Sequence, residues 1–343
     1  MRIALDVMGG DHMPAVPIKG AVQAIQELDG DFDLCLVGDE EKVSECLARL
    51  SDVDSGRIEI IHAPEVVEMA ESPTVALRKK KQSSIAVGMA LQAEGRADAF
   101  ISAGNTGAVM AAALRSLGRI GGISRPGICS VFPTTRSSCV VLDVGANVDS
   151  KPLHLLHFAL MGSIYSEKVL GTSNPRVGLL SVGEEPSKGD ELTVATHKLM
   201  TASPLNFIGN VEGGDIFDGT ADVVVCDGFV GNVVLKLSER VLSLLVEHLK
   251  KQIKASPLAA MGFVMLKGVF DDMKQTFDYA EYGGAPLLGI EGTTIICHGG
   301  STPRAIRNAI KCARLAVLNK VNQVISEEVK NYQTENSTNE KLS

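Results

Sequence analysis

The chain has 343 residues, a formal net charge of −8, 45% hydrophobic and 22% charged residues, and no tryptophan. That length buries a large core, as one big α/β domain or two smaller ones, and the acidic balance argues against bulk nucleic-acid binding, for which a basic domain is expected. Glycine is abundant at 34 residues and aromatics are scarce, which suits a glycine-punctuated α/β enzyme better than an aromatic-rich all-β binding module.

The opening MRIALDVMGGD lacks the architecture of a signal peptide and starts on a strand, RIALDV. Eight more strands are expected in order: FDLCLVG, IEIIHA, DAFISA, CVVLDVGA, RVGLLSV, NFIGNVE, DVVVCD and TIICHG. Several are apolar throughout, the mark of strands covered on both faces. Helices are expected between them at about 14–29, 39–50, 74–94, 106–117, 151–170, 187–201 and 231–253. Repeated βα alternation predicts a three-layer α/β/α fold with a mainly parallel sheet. Residues 255–281 break the pattern as one or two helices with a wide apolar face, with Ser256–Pro257 as N-cap and first position. A last long helix starts at Ser301–Thr302–Pro303, and the polar tail NYQTENSTNEKLS reads as disordered. We therefore expect one catalytic domain over 1–330, carrying a helical excursion at about 245–285, and a disordered tail over 331–343. No internal repeat is visible. No uncharged run approaches the roughly 20 residues of a membrane span. The seven cysteines form no CxxC and mostly sit in apolar runs, so reduced, buried thiols in a cytosolic protein are expected.

Ligands in such folds gather at the carboxyl ends of the strands. Six of those ends carry glycine with polar neighbours: MGGD, GNTGA, GANVD, GEEPSKGDE, GFVGN and GGSTP. Six decorated ends predict a shared cleft. SAGNTGA (Ser102–Ala108) is a glycine-rich turn feeding a helix, which aims backbone N–H groups and the positive dipole end at an anion. Ser102, Asn105 and Thr106 would add side-chain donors; the bland alternative is a tight helix cap. The turn matches neither GxxxxGK[ST] nor GxGxxG. Lys188 lies in the GEEPSKGDE loop, either as a point charge for phosphate or as a solvated lysine. Asn232 opens a helix after DGFVG, either as an oxyanion donor or as an N-cap. Cys226 has apolar neighbours and reads as inert packing. Asp6, Asp11, Asp143 and Asp149 stand near strand ends without a dense acidic cluster, so no metal is expected. There is no GxSxG elbow and no HExxH helix.

DVMGGDHMP, SAGNTGA, LDVGANVDSKP, FALMGSIYSEKVLG, NPRVGLLSVGEEPSKGDEL, VEGGDI, VVVCDGFVGNVVLK, EYGGAPLLGIEG and HGGS follow one another from residue 1 to about 325. Together they resemble the bacterial phosphate acyltransferases of phospholipid synthesis. The resemblance implies transfer of a fatty acyl group from acyl carrier protein to inorganic phosphate, giving acyl phosphate for a membrane-bound glycerol-3-phosphate acyltransferase. It implies a homodimer with a fold similar to isocitrate dehydrogenase and phosphotransacetylase, working without a cofactor in the cytoplasm in loose contact with the membrane. Lys188 and Asn232 would be the catalytic pair. Gly9, Gly10, Asp11, Ser102, Gly104, Asn105, Thr106, Gly107, Asn147, Asp227 and Gly231 would bind phosphate or substrate. The sequence departs from the family pattern at Gly214, Arg240 and the HGGSTP block, none of which touches Lys188 or Asn232.

The reaction fits the absence of a triad. Phosphate is largely dianionic at neutral pH, with a second pKa of about 6 in phosphate esters, and a thiol with a pKa near 8.5 leaves with little acid help. The site needs charge neutralisation, an oxyanion donor and alignment. Carrier proteins of this type are acidic, so Arg304, Arg307, Lys311 and Arg314, at i, i+3, i+7 and i+10, and Arg78–Lys81 are either contacts for the carrier or solvated helix faces. The apolar Phe263, Leu266, Val269, Phe270 and Met273 offer area for an acyl chain, a dimer partner or a membrane surface. The rival readings are a short-chain acyl-coenzyme A phosphotransacylase, a metal- and nicotinamide-dependent dehydrogenase of the same architecture, and a non-catalytic scaffold.

Overall fold

The computed structural model describes residues 1–51, 53–270 and 283–342. In chain order its N-terminal half holds β1 (Arg2–Asp6), α1 (Ala15–Glu27), β2 (Asp33–Gly38), α2 (Glu40–Ala48), β3 (Ile58–His62), α3 (Pro73–Lys79), α4 (Ser84–Ala93), β4 (Ala99–Ser102) and α5 (Thr106–Ser116). There follow β5 (Gly127–Pro133), β6 (Ser138–Leu142), α6 (Pro152–Leu170), β7 (Val177–Leu180), α7 (Glu191–Thr201), β8 (Phe207–Val211), α8 (Asp215–Asp218), β9 (Val223–Val225), α9 (Gly228–Ala255) and α10 (Pro257–Met265). The chain closes with β10 (Ala285–Leu288), β11 (Thr293–Ile296), α11 (Pro303–Leu318) and α12 (Val321–Leu342).

The strands form one sheet in the order β3-β2-β1-β4-β11-β10-β5-β6-β9-β7-β8. Successive side chains on a strand point to opposite faces, so each apolar strand feeds two cores. Ile3 and Leu5 join the core under α1, α6, α11 and α12, whereas Ala4 joins the core under α4 and α5. In β6, Val140 and Leu142 face the first core, and Cys139 and Val141 the second. Helices thus cover both faces, the expected three-layer α/β/α arrangement. All seven cysteines are free thiols, and six are buried.

Most pairings are parallel, but β10 pairs antiparallel with β11 and β5, and β5 pairs antiparallel with β6. Three reversals in a row make the half β6-β9-β7-β8 run opposite to β3-β2-β1-β4-β11. Strands β5 and β10 were not among the nine expected, so the reversal was not anticipated. By strand sense the six decorated turns fall into two groups of three, one after β1, β4 and β11 and one after β6, β7 and β9.

Local sequence explains smaller departures. The expected helix at 74–94 is two helices, because Ser83 leaves the helix to accept the Ala86 amide as the N-cap of α4. Its neighbour Ser84 donates backbone N–H to the Glu65 carbonyl. Helix α9 starts at Gly228 rather than Gly231, because Asp227 caps it by accepting from the Phe229 and Val230 amides. The tail expected to be disordered continues as helix to Leu342, propagated from a segment anchored by buried Val321, Ile325 and Val329. In the excursion, α9 buries only Gly228 and Gly231 and exposes Val233, Leu237, Val241, Leu244, Leu245 and Leu249. Residues 271–282, including Met273, lie outside the described residues. Among the described residues no helix is long and apolar enough to cross a membrane.

Candidate functional site

The first group of turns follows β1, β4 and β11. Asp6 ends β1 fully buried, and its carboxylate accepts from the Ser102 hydroxyl (2.7 Å) and the Met8 amide (3.0 Å). Burial pushes the Asp6 carboxyl up, while bonds from Ser102, Ser84, Met8 and Gly9 hold it down. The Gly104 amide donates to the Ser102 hydroxyl at 3.0 Å. A Cβ on Gly9 would stand 2.6 Å from the Gly104 nitrogen, so these two turns touch backbone to backbone. The Asp11 amide donates to the Gly299 carbonyl at 2.8 Å, joining the third turn, while Gly10 takes φ +94°.

Asn105 is the N-cap of α5, accepting the Ala108 amide, and its Nδ2 reaches the carbonyls of Glu68, Met69 and Glu71. Of the donors predicted to meet an anion, Ser102 and Asn105 are thus buried and engaged inside the protein. Thr106 is exposed at the start of α5 with Gly107 behind it.

The second group follows β6, β7 and β9. Asp143 is fully buried at the end of β6. Its Oδ1 accepts from the amides of Ile128 (3.0 Å), Gly145 (3.2 Å) and Ala146 (3.0 Å). Its Oδ2 accepts from the Asn147 amide (2.7 Å) and Asn147 Nδ2 (2.9 Å). Burial pushes this carboxyl up and those bonds oppose it. Asn147 also donates to the Pro126 carbonyl, so its side chain is structural in this geometry. The two halves are built alike: a buried aspartate, in LDV after a strand, organises the glycine-bearing turn beyond it. The sequence weighed these aspartates only as metal ligands; the repeated LDV-before-glycine was the signal for their role as turn organisers.

Helix α9 docks onto the turn after β6. The Gly228 amide donates to the Asn147 carbonyl at 2.8 Å. A Cβ on Gly231 would lie 1.9 Å from the Asp143 carbonyl oxygen, so only glycine lets the helix approach this closely. Asn232 follows on the exposed side of α9. Gly145, at φ +143°, faces it, and a Cβ there would stand 3.6 Å from Asn232 Oδ1. The N-cap alternative for Asn232 is removed, since Asp227 is the cap; the Asn232 carboxamide has no hydrogen-bond partner among the described residues. Buried Cys226 beside it donates weakly to the Asp143 carbonyl, and burial drives its thiol well above the ordinary value, which disables it as a nucleophile.

The Lys188 loop leaves β7, the neighbour of β9, so it opens on the same edge as Asn232. Residues Glu184 to Asp190 are exposed. The Lys188 amide donates to the Glu185 carbonyl at 2.9 Å, and a Cβ on Gly183 would meet Lys188 Cγ at 3.2 Å. Asp190 caps α7 through the Thr193 amide and hydroxyl, which hold its carboxyl below the usual range. Although four acidic residues surround it in sequence, the Lys188 ammonium makes no ion pair among the described residues. A hollow beside the loop is lined by the apolar Val194, Ala195 and Leu199 and by the charged Asp190, Glu191 and Lys198.

The cationic stripe on α11 is only partly open. Arg307 bonds Glu27 on α1 at 2.7 Å; Arg314 bonds the Asp29 carbonyl and stacks 4.6 Å over the Phe32 ring. Arg304 is half-buried and Lys311 is exposed. In Arg78–Lys81, Lys80 is tied to Glu71 and the Val66 carbonyl, each at 2.6 Å. Among the described residues no group of three or more His, Cys, Asp or Glu side chains could hold a metal ion.

The fatty acid synthesis protein family matches residues 1–324. A phosphate acyltransferase of Heliobacterium modesticaldum is 51% identical over 329 residues, covering 96% of this chain and 98% of that one. Another, from Geobacter sp. strain M21, is 53% identical over 329 residues, covering 96% and 93%. Among solved structures, a phosphotransacetylase from Streptococcus pyogenes superposes with a TM-score of 0.61 at 16% identity, covering 96% of this chain and 94% of that one. A branched-chain phosphotransacylase from Enterococcus faecalis gives 0.57 at 13% identity, covering 92% and 99%. At these identities the structural likeness speaks for the fold.

Proposed function

This chain belongs to the fatty acid synthesis protein family and within it to the phosphate acyltransferases, and from that membership we propose that it moves a fatty acyl group from acyl carrier protein to inorganic phosphate. It is an acyltransferase. The observation that carries the assignment of residues is a contrast in bonding. Ser102 and Asn105 spend their polar atoms inside the protein, Asn147 Nδ2 bonds Asp143 and Pro126, and Asp227 Oδ1 caps α9, whereas Lys188 and Asn232 face solvent with unpartnered polar heads.

In the proposed reaction a phosphate oxygen attacks the thioester carbonyl carbon. The new C–O bond forms as electrons move onto the carbonyl oxygen, where the Asn232 amide donates to the oxyanion. Collapse breaks the C–S bond, the thiolate leaves and takes a proton from solvent, and acyl phosphate remains. The Lys188 ammonium offsets the phosphate charge. Direct transfer is the reading supported by Cys226, which packs beside Gly231, is buried, and has its thiol pushed up by that burial. The hollow beside Lys188, with Val194, Ala195 and Leu199, suits the first carbons of an acyl chain.

The Gly104–Gly107 turn keeps Thr106 and the start of α5 as its anion-facing groups. The exposed apolar face of α9 supports a homodimer, and the exposed apolar residues of α10 support peripheral contact with the membrane that holds the acceptor of the acyl phosphate. A cytoplasmic location goes with that reading.

The test is release of free carrier thiol from palmitoyl-carrier protein, with and without inorganic phosphate. Phosphate-dependent release that yields acyl phosphate and collapses in Lys188→Ala supports the proposal. Release without phosphate would refute it, and equal turnover of short acyl-coenzyme A thioesters would replace it with the short-chain phosphotransacylase reading.

A further inference from the structure

Lys188 sits in an exposed loop, yet a charge that neutralises phosphate has to be held in place to act. The buried side chain that reaches this loop is Asn210 on β8, the edge strand of the sheet. Asn210 is only 6% exposed, and its Nδ2 donates to the Glu185 carbonyl at 2.8 Å. The same carbonyl accepts the Lys188 amide at 2.9 Å. One oxygen therefore links Asn210 to the backbone of Lys188.

Two further contacts close the loop. The Lys188 stem lies against Gly183, and Gly189, at φ +101°, fits where a Cβ would press on Thr193 at 2.7 Å and on the Ser181 hydroxyl at 3.1 Å. Asn210 Oδ1 and the Ser181 hydroxyl are buried without a hydrogen-bond partner among the described residues. A buried amide with one oxygen unsatisfied is unfavourable, and an apolar residue at this edge-strand position would avoid that cost. Its one described bond goes to the loop.

We propose that Asn210 is a positioning residue for Lys188, holding the Glu185 carbonyl so that the ammonium is presented at a fixed place over the Asn232 edge. This inference rests on the assignment of Lys188 to phosphate given above. It assigns Asn210 no contact with substrate.

The experiment compares wild type, Asn210→Leu, Lys188→Ala and the double variant in phosphate-dependent release of carrier thiol, together with amide exchange over residues 183–189. Losing one hydrogen bond to the loop is expected to raise KM for phosphate about fivefold to tenfold in Asn210→Leu, with kcat changed less. Exchange over 183–189 speeds up while α7 and the sheet keep wild-type protection. On the Lys188→Ala background the same substitution adds less than about twofold, because its effect runs through Lys188. If Asn210→Leu fails to fold, Asn210→Ser, too short to hold Glu185, carries the same expectations. An unchanged phosphate KM in a variant whose parent residue Lys188 is needed overturns the inference alone, as does an equal loss on both backgrounds. Wild-type phosphate kinetics in Lys188→Ala would instead bring down the assignment of Lys188, and the inference with it.

Discussion

Gly231→Ala should cripple the enzyme through a backbone contact rather than through any lost chemical group. A Cβ at this position would fall 1.9 Å from the Asp143 carbonyl oxygen, where real Cβ contacts stop near 3.0 Å, so α9 must retreat by about 1.1 Å. The retreat carries Asn232, the next residue, away from the turn after β6. A misplacement of about 1 Å at a reacting group can cost about 100-fold, and overpacking a fitted contact costs about 1–3 kcal/mol of stability. We expect kcat for phosphate-dependent thiol release to fall by about two orders of magnitude, with a lowered melting temperature but a folded protein. Gly214→Ala is the control: no atom lies within 4 Å of its Cβ position and its φ is −66°, so activity and melting should match wild type. If Gly231→Ala turned over at the wild-type rate, the fit of α9 against Asp143 would have no bearing on the chemistry.

Removing the proposed oxyanion donor, in Asn232→Ala, should lower kcat by about 10²–10³ while phosphate KM stays nearly constant, measured by steady-state kinetics. A rise in KM alone would make Asn232 a binding group. His157 is buried on α6, and burial lowers its pKa from 6.5 to about 4, so the unfolded chain binds the proton first as pH falls. Stability should therefore drop by about 2–3 kcal/mol between pH 6.5 and 4, and denaturant titrations of His157→Gln should show a flatter profile over that window. Arg314→Ala loses its bond to the Asp29 carbonyl and its stacking on Phe32, so it should cost about 1 kcal/mol in a denaturant melt and leave carrier-protein KM unchanged. A raised carrier KM with unaltered stability would return that stripe to the docking surface.

The expected strands were legible because apolar runs such as VVVCD are long enough to be covered on both faces. The two that escaped, GICSVFP and APLL, form the antiparallel centre of the sheet. Ser130 within the first, and a proline in each, broke the apolar pattern. Missing them hid the reversal of strand sense, and a list of decorated strand ends could not show on which side each one opens. Asn210 escaped for a related reason: in NFIGNVE it reads as a polar residue at the end of an edge strand, and only the fold shows it turned inward beneath the Lys188 loop.

Residue type alone also misjudged which polar groups are available. Serine, asparagine and aspartate beside glycine suggest ligand donors, yet the same residues are the ones a tight turn needs for its own amides. In both halves the turn takes them: Asp6 with Ser102, and Asp143 with Asn147, satisfy backbone N–H groups that would otherwise be buried unpaired. What remains open includes Thr106, Lys188 and Asn232. In the proposed reaction phosphate arrives already ionised and a thiolate leaves readily, so the proposal asks of the site a positive charge and one oxyanion donor held still. In that proposal they are held by the buried aspartate under α9 and by the carbonyl shared by Asn210 and Lys188, which is why substituting a glycine packed on Asp143, or an amide beneath the loop, is expected to disturb the reaction.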